Sequence, residues 1–375
     1  MTIDLASKSL RLRHRTKCYA GIENIPQLSA QEKLFLRRVT DKYPFRANSY
    51  YLGLIDWDDP FDPIRRLIIP DLQELNGWNN LDPSNEQSVT VGQGLQHKYS
   101  TTALVLTTEA CGCLCRYCFR KRLFMPGNEE ARPDIDLALA YIRRHKEIDN
   151  VLLSGGDPLV LSTSKLEPIL EQLREIEHVG VIRIGSKMPA FDPFRITNDP
   201  DLLELLYKHS HPDQRIYLIC HFDHPRELTD ESREAIRQVQ QAGVICLNQN
   251  PIIRGISDEP EVMAELWKEL TKMGVSQYYV FQMRPTAGNE IYHRSIVDAY
   301  FRFEKAKAMC SGITKRVRFV MSHASGKVEV IAVDDNYIYI KYHRSKEPTD
   351  DYRIRIFHRD DNAHWLDNLE EVTVS

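Results

Sequence analysis

The chain has 375 residues, 42% of them hydrophobic and 27% charged, and its formal net charge is -4. These proportions are typical of a globular protein and argue against a disordered or fibrous chain. The charge offers no general attraction for nucleic acid or anionic lipid, and no run of about 18 apolar residues could span a bilayer. We therefore expect a cytoplasmic protein without a nucleic-acid or membrane partner.

Residues 1–100 are interrupted by turn-forming sequences such as Asp-Asp-Pro at 58–60, Asp62-Pro63 and Asp82-Pro83-Ser84. Such sequences break long periodic patterns. We expect an N-terminal region of short helices and loops over residues 1–100.

From residue 101, six short apolar runs predict buried strands. They are residues 101–108, 150–153, 179–185, 215–220, 244–249 and 277–282. Helical patterns lie between them: one follows a capping box at Ser164 to Glu167, and another begins at Asp230 and stops at Gly243. Because such helices are crossovers between parallel strands, we predict an α/β fold, a partial TIM-like (βα)6 barrel over residues 101–327.

The remainder of the chain changes to a period of two. Alternating residues include Val328 and Val330, the run 337–342, and then Tyr352, Ile354 and Ile356. This pattern predicts a C-terminal antiparallel β appendage over residues 328–375. The exposed strand edges of such an appendage could pair subunits in a homo-oligomer.

Four of the eight cysteines, Cys111, Cys113, Cys115 and Cys118, fall within eight residues directly after the first predicted strand. The spacing C-x3-C-x2-C suits three thiolates on a 4Fe-4S cluster whose fourth iron stays open to a ligand. A structural zinc site would need four ligands, and no second C-x2-C or histidine pair lies at finger spacing. We therefore assign Cys111, Cys115 and Cys118 to a cluster, with Cys113 as a surplus thiol that could substitute for one of them.

At this loop the sequence resembles the radical S-adenosylmethionine (SAM) superfamily. Further segments make it similar to the lysine 2,3-aminomutase family; they are residues 56–70, 154–159, 183–189, 221–225, 248–249 and 254–258. The resemblance implies an isomerase that uses a 4Fe-4S cluster, SAM and pyridoxal phosphate (PLP). In such enzymes a 5′-deoxyadenosyl radical takes a hydrogen atom from an amino acid, whose amino group then moves from C2 to C3. An electron donor such as flavodoxin or ferredoxin is also implied.

The resemblance assigns seven residues at strand ends to SAM: Ser154, Gly155, Gly156, Asp157, Ser186, His221 and Gln249. The first four would contact the SAM amino group, and the others would hold SAM or its ribose and adenine. Alone, Gly-Gly-Asp-Pro would favour a tight strand-to-helix turn, and a histidine at a strand end is more often a core residue. Their shared position after a three-cysteine loop favours the cofactor interpretation.

The resemblance also places PLP. Lys327 matches the family lysine that forms an imine with PLP, while Lys98 and Tyr99 match its phosphate-binding segment. Two departures are visible, because Thr102 replaces an arginine and the glycine run before the lysine is shortened. By spacing alone, Lys327 would be interpreted as an exposed lysine entering a hairpin.

Arg120 matches the family arginine that binds the substrate α-carboxylate. Arg284 and Ser322 stand where lysine-using members carry two aspartates, so we expect a substrate with an anionic or neutral polar side chain rather than lysine. Arg284 could instead bind the PLP phosphate. Two alternatives remain open: a PLP-independent radical SAM enzyme that modifies another small molecule or a peptide or protein, and a non-enzymatic iron-sulfur or zinc protein.

Overall fold

The structure is a computed structural model that describes residues 16–128, 130, 134–346 and 353–372. Its N-terminal part consists of short elements, as the turn-rich sequence predicts. They are β1 (Cys18–Tyr19), α1 (Ala30–Thr40), β2 (Ala47–Asn48), α2 (Ser49–Leu52), α3 (Pro63–Ile68), β3 (Thr90–Gly92) and β4 (Leu95–Tyr99). Asp62-Pro63 begins a helix here. The Asp62 carboxylate accepts a hydrogen bond from the Arg65 N–H, and Pro63 occupies the first position of α3.

Seven consecutive parallel strands follow: β5 (Thr102–Thr108), β6 (Asn150–Gly155), β7 (Val181–Ser186), β8 (Ile216–Cys220), β9 (Ile245–Pro251), β10 (Ser276–Phe281) and β11 (Arg318–His323). The first six are the predicted strands. The architecture is therefore mixed α/β, with a large parallel sheet as predicted.

The connecting helices are α4 (Ile135–Arg144), α5 (Thr163–Arg174), α6 (Met188–Phe191), α7 (Phe194–Thr197), α8 (Pro200–His209), α9 (Asp230–Gln241), α10 (Pro260–Lys272) and α11 (Ile296–Ala308). The predicted start of α5 was wrong. The helix already begins at Thr163, where the Ser162 carbonyl accepts from the Leu166 N–H, so Ser164 lies inside it and caps nothing. The predicted end of α9 is confirmed, because Gly243 adopts a φ of +79°.

Antiparallel strands extend both ends of the parallel sheet. At one end are β12 (Gly326–Val333), β13 (Tyr337–Ser345) and β14 (Ile354–His358), which confirm the predicted β character of the tail. Tyr352 lies outside the described residues. At the other end β4 pairs with β5 and β3 pairs with β4, and neither of these two strands was predicted from the sequence.

Three side chains connect the opposite ends of the sheet. The Lys98 ammonium on β4 donates to the His323 carbonyl, and the Ser84 hydroxyl donates to the Ser322 carbonyl at 2.8 Å. The Arg344 guanidinium on β13 donates to the Thr102 hydroxyl at 2.9 Å. Residues far apart in the order of strands therefore share one region. Over the described ranges, no helix is both long and apolar enough to cross a membrane.

Candidate active site

The cysteine loop leaves the carboxyl end of β5, where parallel sheets place their functional groups. Cys111, Cys115 and Cys118 are partly exposed. Cys113 is different, because only 1% of it is exposed and it packs in the hydrophobic core. The structure therefore separates one cysteine of the loop from the other three.

The sulfurs of Cys111, Cys115 and Cys118 do not all lie within 4.8 Å of one another. Within the described residues, the one group of three potential ligand atoms lying within 4.8 Å of one another comes from His97, His145 and Glu147, away from the cysteine loop. Thiolates around one zinc ion, with bonds of about 2.3 Å, would lie about 4 Å apart. The wider spacing of Cys111, Cys115 and Cys118 suits a larger group such as an iron-sulfur cluster.

The N-terminal region holds the cysteine loop in place. Arg116, between two of the cysteines, donates from Nε and Nη2 to the Glu74 carboxylate at 2.9 and 2.7 Å, and both side chains are buried. Its Nη1 donates to the Pro44 carbonyl at 2.9 Å. Backbone bonds from the Leu114 N–H to the Arg46 carbonyl and from the Arg116 N–H to the Leu67 carbonyl extend this attachment.

The Ser154–Asp157 segment packs against the turn that leads into the cysteine loop. Gly155 has a φ of +115°, and a Cβ on Gly156 would lie 2.1 Å from the Ala110 carbonyl oxygen, so backbone contact requires both glycines. The buried Asp157 carboxylate accepts from the backbone N–H groups of Leu159 and Lys187 at 3.0 and 2.7 Å. This segment therefore joins the ends of β6 and β7 beside Cys111.

Ser186, His221 and Gln249 lie at or near the carboxyl ends of β7, β8 and β9, as their positions in sequence indicate. The Ser186 hydroxyl accepts from the Met188 N–H at 3.0 Å. His221 Nε2 lies 2.8 Å from the hydroxyl of Tyr117, which belongs to the cysteine loop. The structure thus brings His221 close to the cysteines.

A buried ionic network lies beside the carboxyl ends of β7 and β8, and it was not predicted from the sequence. Lys187 donates to the carboxylates of Asp223 and Glu227, both at 2.7 Å, and Tyr117 donates to Asp223. Burial alone would raise the pKa of Asp223, but Lys187 and His221 hold it below its usual range. Lys187 directly follows Ser186, and Asp223 lies two residues after His221. This closeness in sequence to two predicted site residues could have indicated that Lys187 and Asp223 also lie at the site.

Lys327 lies in a cluster of cationic side chains. Its Nζ is 4.0 Å from the centre of the Tyr279 ring. Burial, together with the charges of Arg183, Arg284, Lys98 and Arg344, lowers the pKa of Lys327 well below its usual range. Burial and Arg284 likewise lower the pKa of Lys98 to about 8. Arg183 and Arg344 were missed because nothing in their local sequence places them beside Lys327.

Arg120 and Arg284 converge on Glu86, a buried carboxylate that the sequence analysis also missed. Arg120 donates to Glu86 at 3.0 and 3.1 Å and Arg284 at 3.2 Å. Burial would raise the pKa of Glu86, but the arginines hold it well below its usual range. Ser322 is paired in register with Lys327, and Arg284 is among the cations that lower the pKa of Lys327, so the structure places these two predicted substrate residues near that lysine.

No family model matches the chain. Individual relatives do. The chain is 49% identical over 352 residues to a protein of Aquifex aeolicus (strain VF5) provisionally named L-lysine 2,3-aminomutase, covering 94% of this chain and 93% of that one. It is 35% identical to the L-lysine 2,3-aminomutase of Acetoanaerobium sticklandii (80% and 72% covered) and 34% identical to the glutamate 2,3-aminomutase of Clostridioides difficile (81% and 71% covered). The chain therefore belongs to the lysine 2,3-aminomutase family of radical SAM isomerases.

Proposed function

We propose that this enzyme is a PLP-dependent amino acid 2,3-aminomutase whose substrate has an anionic or neutral polar side chain. The observation that carries the proposal is the environment of Lys327. A partly buried lysine with a lowered pKa, surrounded by four other cations, suits a nucleophilic amine beside a bound anion. The three-cysteine loop lies at the carboxyl edge of the same sheet.

Cys111, Cys115 and Cys118 would hold the cluster, and the ends of β6 to β9 would hold SAM. When bound, the cluster and SAM supply a hydrogen-abstracting radical, while PLP supplies the carbonyl that carries the amino group. The protein would position these groups and exclude water, with a flavodoxin or ferredoxin as electron donor.

Lys327 would bind the PLP carbonyl, and Lys98, Tyr99 and Arg344 would surround the phosphate. Thr102 replaces the family arginine, but the Arg344 guanidinium donates to the Thr102 hydroxyl at 2.9 Å and so places another cation at that position. An arginine can make a charge-assisted hydrogen bond to phosphate from β13 as well as from position 102, because only the position of its guanidinium group matters. The loss of the family arginine therefore does not argue against PLP.

The charges near Arg284 support the substrate proposal. Arg284 shares the Glu86 carboxylate with Arg120 and Arg122, and it also lies near the cations Lys98 and Lys327, so positive charge is in excess around Arg284. At an effective dielectric constant near 20, one contact between like charges at about 4 Å costs roughly 4 kcal/mol before screening. The distal ammonium of lysine would be disfavoured there, whereas a carboxylate or amide would be accepted.

We also infer that the sheet curves into an open barrel. The support comes from contacts across its ends, where Lys98 meets His323 and Arg344 meets Thr102. Since β4 and β5 are separated from β11 and β13 by the intervening parallel strands, a flat sheet could not make these contacts.

The test is anaerobic reconstitution with iron, sulfide and PLP, followed by SAM, a chemical reductant and separate amino acids. We expect 5′-deoxyadenosine and a β-amino acid, with L-glutamate or a neutral polar amino acid preferred to L-lysine. Borohydride reduction and peptide mapping should place a pyridoxyl adduct on Lys327. Radical formation without any PLP adduct would support the PLP-independent alternative instead, and efficient turnover of L-lysine would refute the substrate proposal.

A further inference from the structure

Glu86 pairs with three arginines, of which Arg120 and Arg122 are buried and Arg284 is partly exposed. Arg120 donates to it from Nε and Nη2, Arg122 from Nη2 at 2.8 Å, and Arg284 from Nη1 at 3.2 Å. Glu86 is 6% exposed. These arginines come from the end of the cysteine loop and from the segment after β10, so one carboxylate connects two segments of the candidate site.

Arg120 and Arg284, the two arginines assigned to the substrate, differ in how many of their N–H groups remain free to donate a hydrogen bond. Arg120 uses one edge of its guanidinium for Glu86, and its Nη1 donates to the Ser154 hydroxyl at 3.0 Å. Arg284 makes one hydrogen bond to Glu86, and its Cζ lies 3.7 Å from the centre of the Phe119 ring. Among the residues that the structure describes, its Nε and Nη2 make no hydrogen bond, so that edge can donate two hydrogen bonds to a carboxylate.

We infer that Glu86 is a positioning residue that fixes Arg284 between itself and Phe119, so that the unpaired edge of Arg284 binds the side-chain carboxylate of an anionic substrate. This inference rests on the proposed function, because it assigns Arg284 to the substrate. It adds the residue on which the preference for that substrate depends.

The physical reason is the mutual repulsion of the three arginines. Without the Glu86 carboxylate, their guanidinium groups would separate and Arg284 would lose the contact that fixes its orientation. Bidentate recognition of a carboxylate depends on that orientation, since both N–H groups must meet the two oxygens together. A more positive but unordered site should therefore bind the anionic substrate more weakly.

The experiment compares Glu86→Gln with Glu130→Gln in the reconstituted holoenzyme with SAM. Glu130 is a matched control, because it also pairs with Arg122, at 3.1 Å, but touches neither Arg120 nor Arg284. The dissociation constant of L-glutamate is measured by calorimetry without reductant, so that no turnover occurs. We expect binding about tenfold weaker or more in Glu86→Gln and within about twofold of wild type in Glu130→Gln. Cluster and PLP absorbance should be unchanged in both.

A double variant separates positioning from a general structural effect. If Glu86 acts through Arg284, then Glu86→Gln/Arg284→Ala should bind L-glutamate no more weakly than Arg284→Ala alone. Three results would overturn the inference. The losses of affinity caused by Glu86→Gln and Arg284→Ala could multiply in the double variant, Glu86→Gln and Glu130→Gln could lose equal affinity, or Glu86→Gln could bind L-glutamate like the wild type.

If Glu86→Gln does not fold, Glu86→Asp replaces it, because its shorter side chain keeps the charge but withdraws from Arg284. At least about a threefold loss of affinity is then expected, and unchanged affinity overturns the inference. Binding of L-glutamate by a wild type that turns over no amino acid would refute the proposed function but leave the role of Glu86 standing. Absence of both binding and turnover would refute both.

Discussion

Cysteines with the same chemistry have different surroundings within the loop 111–118. Cys113 packs in the hydrophobic core, while Cys111, Cys115 and Cys118 remain partly exposed. A buried free cysteine behaves as a small apolar residue, and a cluster needs thiolates that can reach it. Burial therefore supports the ligand assignment that the spacing predicts.

We expect Cys113→Ala to retain its iron after anaerobic reconstitution, with a loss of about 1 kcal/mol in the free energy of unfolding from the smaller core side chain. Cys115→Ala is the comparison and should lose most of its iron and visible absorbance. Iron per chain and denaturant unfolding measure the two effects. Equal iron loss in both variants would show that Cys113 is a ligand.

The lowered pKa of Lys98 predicts a pH dependence of stability in the PLP-free protein. Burial and Arg284 lower this pKa from 10.5 to about 8. Between these values the unfolded chain binds more protons than the folded chain, so the free energy of unfolding contributed by Lys98 rises with pH. This difference in pKa corresponds to roughly 3 kcal/mol.

Lys98→Met should therefore stabilise the PLP-free protein at about pH 7 and reduce the rise in stability toward about pH 10. Denaturant unfolding at several pH values measures it. The exposed Lys165→Met on α5 is the control and should leave the pH profile unchanged. A Lys98→Met profile parallel to that of the wild type would mean that Lys98 does not cause the slope.

Among the elements, the cysteine loop depends most on a distant segment. Arg116 and Glu74 are 3% and 0% exposed at their side chains, and their ion pair attaches the loop to the N-terminal region. Removing one partner of such a pair leaves a buried charge without compensation, which costs about 3 to 5 kcal/mol. The geometry of the cluster site should depend on this pair.

We therefore expect Arg116→Gln to lose about 3 to 5 kcal/mol of unfolding free energy and to bind iron poorly. Lys208→Gln tests the opposite case, because its ion pair with Glu171 at 2.7 Å is exposed at 55% and 44%. That variant should lose less than about 1 kcal/mol and keep its iron. Thermal and denaturant unfolding with iron analysis measure both. Similar losses in the two variants would contradict a special role for the buried pair.

Local sequence predicted the elements well where the pattern was long. The apolar runs of β5 to β10 and the buried face of α5 at Leu166, Ile169 and Leu170 were readable because burial on one face imposes periodicity. The start of α5 was misplaced because Ser162 and Ser164 both suit a helix cap. β3 and β4 were missed because they are short and lie in a turn-rich region.

For the whole molecule, the sequence could predict which edge of the sheet carries the site. The family resemblance assigned Ser186, His221 and Gln249 to SAM, and the structure places them along one edge because the carboxyl ends of parallel strands share it. Glu86, Arg183 and Arg344 were not predicted, since their proximity to the site depends on how the sheet brings its two ends together. Tertiary contacts of that kind leave no local pattern.

The contact across the sheet makes the C-terminal strands part of the proposed cofactor site. Arg344 on β13 reaches Thr101 and Thr102 on the opposite side, and its charge is among those that lower the pKa of Lys327. If it faces the PLP phosphate, its loss removes a charge-assisted hydrogen bond worth about 1.5 to 3 kcal/mol. Arg344→Gln should then bind PLP about tenfold to a hundredfold more weakly.

A titration of PLP-free protein with PLP, followed by the absorbance of the lysine adduct, measures this affinity. Arg359→Gln is the control, because Arg359 is also in the C-terminal segment but pairs with the exposed Asp361. It should bind PLP like the wild type. Because Arg344 also makes hydrogen bonds between strands, the thermal unfolding of both PLP-free variants must be compared. Weaker PLP binding without a matching loss of stability assigns Arg344 to the phosphate, whereas unchanged PLP affinity would return that role to Lys98 and Arg284.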